Sequence, residues 1–332
     1  MSKKSLIKFS EISNGENLLA AWREFIIGKK NKKDVIKFSL HLGDNILQLQ
    51  VELANGSYQH GGYQDFYVSD PKLRHIHKAS VRDRLVHHAV CRQLYPFFSQ
   101  LFIAHSYSCQ LGKGTHRAGL AFRRASGKVS LNKTRTVWVL QADIKRFFDS
   151  IDQEILIVIL RRYIDDERIM SLLENIIRSF SCQPGKGLPL GNLTSQLFVN
   201  IYLNEFDQFV KNDLKVKYYF RYADDFAILS DNCDYLSDKL TLLEGFLRER
   251  LKLELHPTKL HLKTLASGVD FLGHIYFPDY YILRTKTRRR MLRKMSCRSE
   301  PANLASYLGL LSSGQTFNLR KRLLDIYWLY SD

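Results

Sequence analysis

No apolar run in this sequence approaches the roughly 18 residues that a membrane span requires. Nothing after Met1-Ser2-Lys3-Lys4-Ser5-Leu6 has the long apolar core of a signal peptide. Cysteine is sparse. Cys91, Cys109, Cys182, Cys233 and Cys297 are odd in number, widely spaced and form no Cys-x-x-Cys pair. That pattern excludes a disulfide framework and gives no zinc knuckle. Internal repeats, low-complexity linkers and the Gly-x4-Gly-Lys-Ser/Thr phosphate loop are also missing, so one multi-lobed unit is expected. Negative charge is in deficit: 33 Asp and Glu stand against 50 Lys and Arg, a net charge of +17. Such a surplus selects a polyanion as partner, either nucleic acid or an acidic membrane surface. With no span and no leader, nucleic acid in a reducing, cytoplasmic setting is the expectation.

The 332 residues suffice for two or three subdomains with a real core. Residues 1–60 read as helices, with Leu18, Leu19, Trp22, Phe25 and Ile26, then Ile46, Leu47, Leu49, Val51 and Leu53, at helical spacing. Phe66-Tyr67-Val68 and Leu73-Arg74-His75-Ile76 read as a hairpin turning at Ser69-Asp70-Pro71, and a helix follows over 81–98. The basic, glycine-interrupted loop 105–117 precedes a helix from Ala118. Thr136–Ala142 is the near-continuous apolar run of a buried central strand, and it ends at Asp143. Helices are expected over most of 151–180, over 192–211 and over 235–251, with a loop at 185–191.

Asp224-Asp225 interrupts a run of β-formers, with Tyr218–Tyr222 before it and Phe226–Leu229 after it. Neighbouring strand residues face opposite ways, so two adjacent carboxylates project together only at a bend. Such a pair is common at a solvated hairpin tip, and it is also the start of a metal site. Asp143 adds a third carboxylate at the end of a buried strand. Three carboxylates at adjacent strand ends are able to hold two divalent metals for phosphoryl or nucleotidyl transfer. With the positive charge of the chain, that reading points to a nucleic-acid polymerase or a metal-dependent nuclease.

The order of motifs resembles the palm of reverse transcriptases. Asp143-Ile-Lys-Arg-Phe-Phe148, Leu188-Pro-Leu-Gly191-Asn-Leu-Thr-Ser195-Gln196, Tyr222-Ala-Asp-Asp225 and Phe271-Leu-Gly273 occur in that family's sequence. Arg74, Asp83-Arg84 and the loop through Lys113 resemble its finger motifs. The resemblance covers roughly residues 60–300. It implies an α+β right-hand fold: an N-terminal helical segment (1–60), fingers (61–135), a palm of antiparallel sheet plus helices (136–280, with helices of 151–185 inserted) and a short helical thumb (281–332). It implies Asp143, Asp224 and Asp225 as ligands of two Mg²⁺ ions, with Mn²⁺ as a substitute. It makes Phe148 the gate against a ribose 2′-hydroxyl, with one of Phe147 and Phe148 in the core. Gly191 and Gln196 would shape the pocket for the incoming nucleotide and the template base. Arg74, Lys113 and Lys259 would meet the triphosphate, Lys259 as a possible general acid. Phe271-Leu-Gly273 resembles the primer grip, where core packing is an equal account of its apolar part.

The Leu190-Gly-Asn-Leu-Thr-Ser-Gln196 string, Gly112-Lys-Gly-Thr-His116 and the chain length look most like diversity-generating retroelement enzymes. That branch implies error-prone copying of a specific structured RNA into cDNA, dNTP substrates, a basic helical accessory protein as partner and a bacterial or phage origin. A defence-associated or retron-like enzyme is the alternative within the family, and a nuclease the alternative outside it. Arg284, Lys286, Arg288, Arg289, Arg290, Arg293, Lys294 and Arg298 crowd one segment, expected as a helical face against phosphates. No RNase H, large maturase or HNH segment is expected beyond it.

Overall fold

The structure, a computed structural model, describes residues 4–69, 73–297, 300–311, 314 and 316–330. Asp70 and Pro71 of the expected turn, and Arg298 of the basic segment, lie outside the described residues. The chain begins with α1 (Phe9–Ser13), α2 (Gly15–Phe25), α3 (Lys33–Ser39) and α4 (Leu42–Ala54). An antiparallel ribbon follows, β1 (Tyr63–Val68) and β2 (Arg74–Ala79), and then α5 (Val81–Ser99) and α6 (Thr115–Val129). Next come β3 (Trp138–Asp143), the single turn α7 (Phe147–Ser150), α8 (Gln153–Arg161), α9 (Glu167–Arg178) and α10 (Leu193–Gln208). Then β4 (Tyr219–Tyr222), β5 (Asp225–Ser230), α11 (Cys233–Arg250) and β6 (His261–Thr264) are followed by a meander of β7 (Val269–Phe271), β8 (His274–Tyr276) and β9 (Tyr281–Leu283). Three helices close the described chain: α12 (Thr285–Cys297), α13 (Pro301–Leu310) and α14 (Phe317–Leu329).

Helix starts follow local chemistry. The side chains of Asn14, Ser80, Asp152, Asp166 and Asn232 each accept a backbone N–H in the first turn of their helix. Each such cap is worth about 1 kcal/mol. In the N-terminal helices the buried stripe is Leu18, Trp22 and Phe25, then Ile46, Leu49 and Leu53. Leu19, Leu47 and Val51, expected with them, are 42%, 62% and 57% exposed. They stand beside the stripe rather than on it, because only i, i+3/i+4 positions share a helix face.

The central sheet is antiparallel with strand order β4-β5-β3-β6. Its side chains alternate between two cores. Leu140, Ala142, Tyr219, Phe226 and Ile228 join the larger core, formed with the N-terminal helices, α5 and α8–α11. Val139, Phe220, Ala227 and Leu229 join a second core with Ala118, Phe122 and Ala125 of α6 and with Phe271 and Tyr276 of the meander. Both faces are therefore covered, which is why the strands read as continuous apolar runs. α12–α14 build a third small core from Met291, Met295, Leu311 and Leu323, joined by Leu283 of β9.

Candidate active site

In the β3–β5 ladder Asp143 lies directly opposite Asp225. Alternation puts both on the face shared with Val139, Ala227 and Leu229, toward the meander. Ala223, at φ 53°, turns the chain sharply before them and brings Asp224 to the same end of the sheet. The Asp224 carbonyl accepts the N–H of Ile144 at 3.1 Å, which ties the hairpin tip to the end of β3. Asp143 is buried, and Lys259 donates to its Oδ1 at 2.6 Å.

Removal from water raises the Asp225 carboxyl to about 7, and a hydrogen bond with Asp143 and the negative charges of Asp224 and Asp143 push the same way. Lys259 opposes the rise. Asp225 keeps an open edge to solvent, through which a cation has access to the crowded carboxylates and would relieve their repulsion. A cluster of hard carboxylate oxygens that resists its own ionisation has the donor chemistry of a divalent magnesium-type site. The residues present fit such an ion.

One residue that sequence reasoning passed over holds this turn. Arg221 is buried in mid-β4. It makes a fork to Asp207 of α10, with Nε to Oδ1 at 2.7 Å and Nη2 to Oδ2 at 2.6 Å. Nη1 donates to the Ala223 carbonyl at 3.1 Å and to Asn200 Oδ1 at 3.4 Å, and Nη2 donates to Ser106 Oγ at 3.0 Å. All five guanidinium N–H groups have an acceptor. Tyr219 also donates to Asp207, at 2.7 Å. Burial works against the Arg221 charge, and Asp207 overrides it and raises the pKa above its ordinary value. A fixed arginine thus donates to the carbonyl of the residue that bends the chain at Asp224. Its backbone pairs with the loop before α6: Arg221 N–H to the His105 carbonyl, and Tyr107 N–H to the Arg221 carbonyl, each at 3.0 Å.

Asp143 and Asp225 line one hollow, and a second, larger cleft is lined by neither of them. The first, of about 410 Å³, is lined by Asp143, Asp225, Lys259, Phe271, Gly273 and Arg284 among others. It brings Asp143 and Asp225 together with Phe271-Leu-Gly273. Arg284 ties it to the foot of α12, through Asp270 and through its N–H to the Gly273 carbonyl at 3.0 Å. The other cleft, of about 1130 Å³, is lined by Arg74, Phe148, Lys145 and Leu190 among others. Phe147 is core and Phe148 is half-buried against that core, and both reach the wall of this cleft. Gly191, at φ 110°, lies so close to β2 that a Cβ there would meet Ile76 Cγ2 at 2.9 Å.

Two expected nucleotide contacts are placed elsewhere. The Lys113 ammonium spends its donors on the carbonyls of Ile103, Ala104 and Ser106, at 3.2, 3.1 and 2.7 Å. It clips its own loop, and partial burial lowers its pKa. Gln196, one turn into α10, lines a separate hollow with Tyr95, Cys109 and Leu111, away from both clefts. Asp83, grouped with the finger motifs, is a buried acceptor in the first turn of α5: it takes hydrogen bonds from Tyr58, Ser80 and the Gly61 N–H. On α12, Arg288, Arg289, Arg293 and Lys294 are exposed and Arg290 is partly covered, while Met291 and Met295 are buried.

Residues 69–276 match the family of reverse transcriptases (RNA-dependent DNA polymerases). The match covers well over half of the chain, and the chain belongs to this family. It is accordingly an RNA-directed DNA polymerase with a right-hand fold. Among curated relatives it is similar to Protein YkfC of Escherichia coli, 27% identical over 75% of this chain and 74% of that one. It is also similar to the group II intron-encoded protein LtrA of Lactococcus lactis, 24% identical over 73% of this chain. The match spans only 42% of LtrA. Among solved structures it resembles telomerase from Candida albicans, solved with a fragment of telomeric RNA. The TM-score is 0.51 and the identity 10%, over 82% of this chain and 55% of that one, a likeness of fold. Among the described residues no helix is long and apolar enough to cross a membrane.

Proposed function

We propose that this polymerase extends a 3′-hydroxyl on a structured RNA template, using deoxynucleoside triphosphates and two divalent ions held by Asp143, Asp224 and Asp225. The Asp143–Asp225 register, with Asp224 delivered by the bent turn, is the observation that carries this reading. Two Mg²⁺ ions, or Mn²⁺ in their place, would lower the pKa of the attacking hydroxyl and neutralise charge on the departing pyrophosphate. Phe148 walls the cleft and excludes a 2′-hydroxyl. Arg74, exposed on β2 in the same cleft, supplies positive charge for the triphosphate. Lys259 stores a proton beside the carboxylates, where a leaving group needs one. The basic face of α12 follows the backbone of the template duplex.

In this reading residues 1–60 form the N-terminal helical segment, 61–135 the fingers, 136–280 the palm and 281–332 the thumb. The Leu190–Gln196 string supports the diversity-generating branch, in which copying is error-prone, the template is one specific RNA, and a basic accessory protein assists in the cytoplasm. The intron-encoded relatives are similar over the shared polymerase region only. Primer extension on RNA with labelled dNTPs tests the core of the proposal. Asp224→Asn is expected to lower incorporation about 10³-fold, or about 4 kcal/mol of transition-state stabilisation. Retained synthesis would sink the site assignment, and strand cleavage without synthesis would favour a nuclease. Sequencing the cDNA tests the branch: errors concentrated at template adenines support it, and uniform low error removes it.

A further inference from the structure

The β1–β2 ribbon carries a cluster that the polymerase reading does not use. Its register sets Asp65 opposite His77 and Tyr67 opposite His75. Alternation then places Asp65, His75 and His77 on one face. His77 Nδ1 is 2.8 Å from Asp65 Oδ1, and His75 Nε2 is 3.5 Å from Asp65 Oδ2. One donor atom from each of the three lies within 4.8 Å of the others. Two imidazoles and one carboxylate form the ligand set of zinc sites that keep a fourth position open. Imidazole nitrogen also selects zinc-type ions over magnesium, so this cluster and the palm carboxylates call for different metals.

The ligands are held in place. The His75 ring stacks on Tyr67 at 4.6 Å, and the His77 ring packs on Phe180 at 4.4 Å. The His77 N–H donates to the Leu190 carbonyl at 3.1 Å, and its carbonyl accepts from Asn192 at 2.9 Å. The side chains of Asp65 and His75 are 53% and 40% exposed and line the 1130 Å³ cleft, so an ion has a path in. We propose that Asp65, His75 and His77 bind one zinc-type ion, with an open coordination position reachable from the cleft. The ion would join β1 to β2, a two-stranded ribbon of the kind that is marginal without support. An ordinary carboxylate–histidine ion pair is the competing account, and it predicts no zinc uptake.

The test is isothermal titration of the chelator-treated full chain with zinc chloride, in excess Mg²⁺ to occupy the palm carboxylates. One zinc per chain is expected, and Asp224→Asn should leave that stoichiometry unchanged. Outer-shell partners alone change metal affinity about 10–100-fold, so the His75→Asn/His77→Asn pair should weaken binding by more than about 100-fold. Zinc should slow amide exchange of β1 and β2 in the wild type and not in the variant. Should the double variant fold poorly, His75→Asn alone decides, since that side chain is 40% exposed and outside the core. No saturable uptake by the wild type, or uptake unchanged by loss of the histidines, overturns the proposal.

Discussion

Replacing Asp207 by Asn removes the anion from a guanidinium that is 1% exposed, while the geometry around it stays filled. Losing one partner of a buried pair strands the other charge, at a cost of about 3–5 kcal/mol. For a chain of this size that corresponds to a fall of roughly 5–10 °C in Tm. The paired change Asp207→Leu/Arg221→Met removes both charges and leaves comparable volume, so it avoids the stranded charge and should cost less than Asp207→Asn, the remaining loss coming from the Tyr219 hydroxyl and Ser106, which each lose a partner. The two variants should part company in activity. The apolar pair keeps the fold but deprives the Ala223 carbonyl of its donor at 3.1 Å, leaving the left-handed turn before Asp224 without its clamp. We expect Asp207→Leu/Arg221→Met to lower kcat by about 10–100-fold with little change in KM, the mark of a misplaced ligand rather than lost binding. Denaturant unfolding read alongside primer extension checks both halves. An Asp207→Asn variant as stable as wild type would refute the stranded-charge argument. A double variant with full kcat would refute the positioning role of Arg221.

Phe148→Ala should admit ribonucleotides, raising their use relative to deoxynucleotides by about 10-fold or more, measured as the ratio of kcat/KM values; unchanged discrimination would remove the ring as gate. Binding to an RNA–DNA duplex should weaken steeply with salt. Changing Arg289, Arg293 and Lys294 together to Gln should flatten the log–log slope by about 0.7–0.9 for each phosphate no longer neutralised, and an unaltered slope would show that α12 does not face the duplex. Burial, with Lys29 and Arg84 adding to it, lowers the pKa of His88 to about 4. The unfolded chain therefore binds this proton first, so stability should be intact above pH 6.5 and fall by roughly 2–3 kcal/mol as pH drops toward 4. His87, lowered in the same direction by burial, adds to the effect. A flat unfolding midpoint across that window would refute the histidine account, and a fall that His88→Gln leaves unchanged would assign it to other groups.

The carboxylate cluster was legible because strand runs that stop at acids are local features. Asp143 ended one apolar run and Asp224-Asp225 split another, and the register then set them side by side. That one of Phe147 and Phe148 is buried in the core and the other is more exposed also follows from adjacent residues facing different ways. What failed to show was long-range pairing. Arg221 inside an apolar strand was a signal in plain sight, but its partner Asp207 sits on another element, and no spacing rule joins them. Lys113 read as a free cation because its acceptors are backbone carbonyls, which a sequence does not mark. Asp65 and His77 become neighbours only once the ribbon register is known.

The outer edge of β4 has a consequence for solubility. A bare edge strand exposes a row of N–H and C=O groups that can recruit another chain. Here His105 and Tyr107 occupy the backbone groups of Arg221, and the Lys113 clip holds that segment down by three carbonyls. The loop therefore serves as a shield that keeps the sheet from growing sideways into a neighbour. Cutting it, or loosening it by removing Lys113, would uncover Phe220, which packs on His105, next to a free edge and open a route to self-assembly while most helices remain folded.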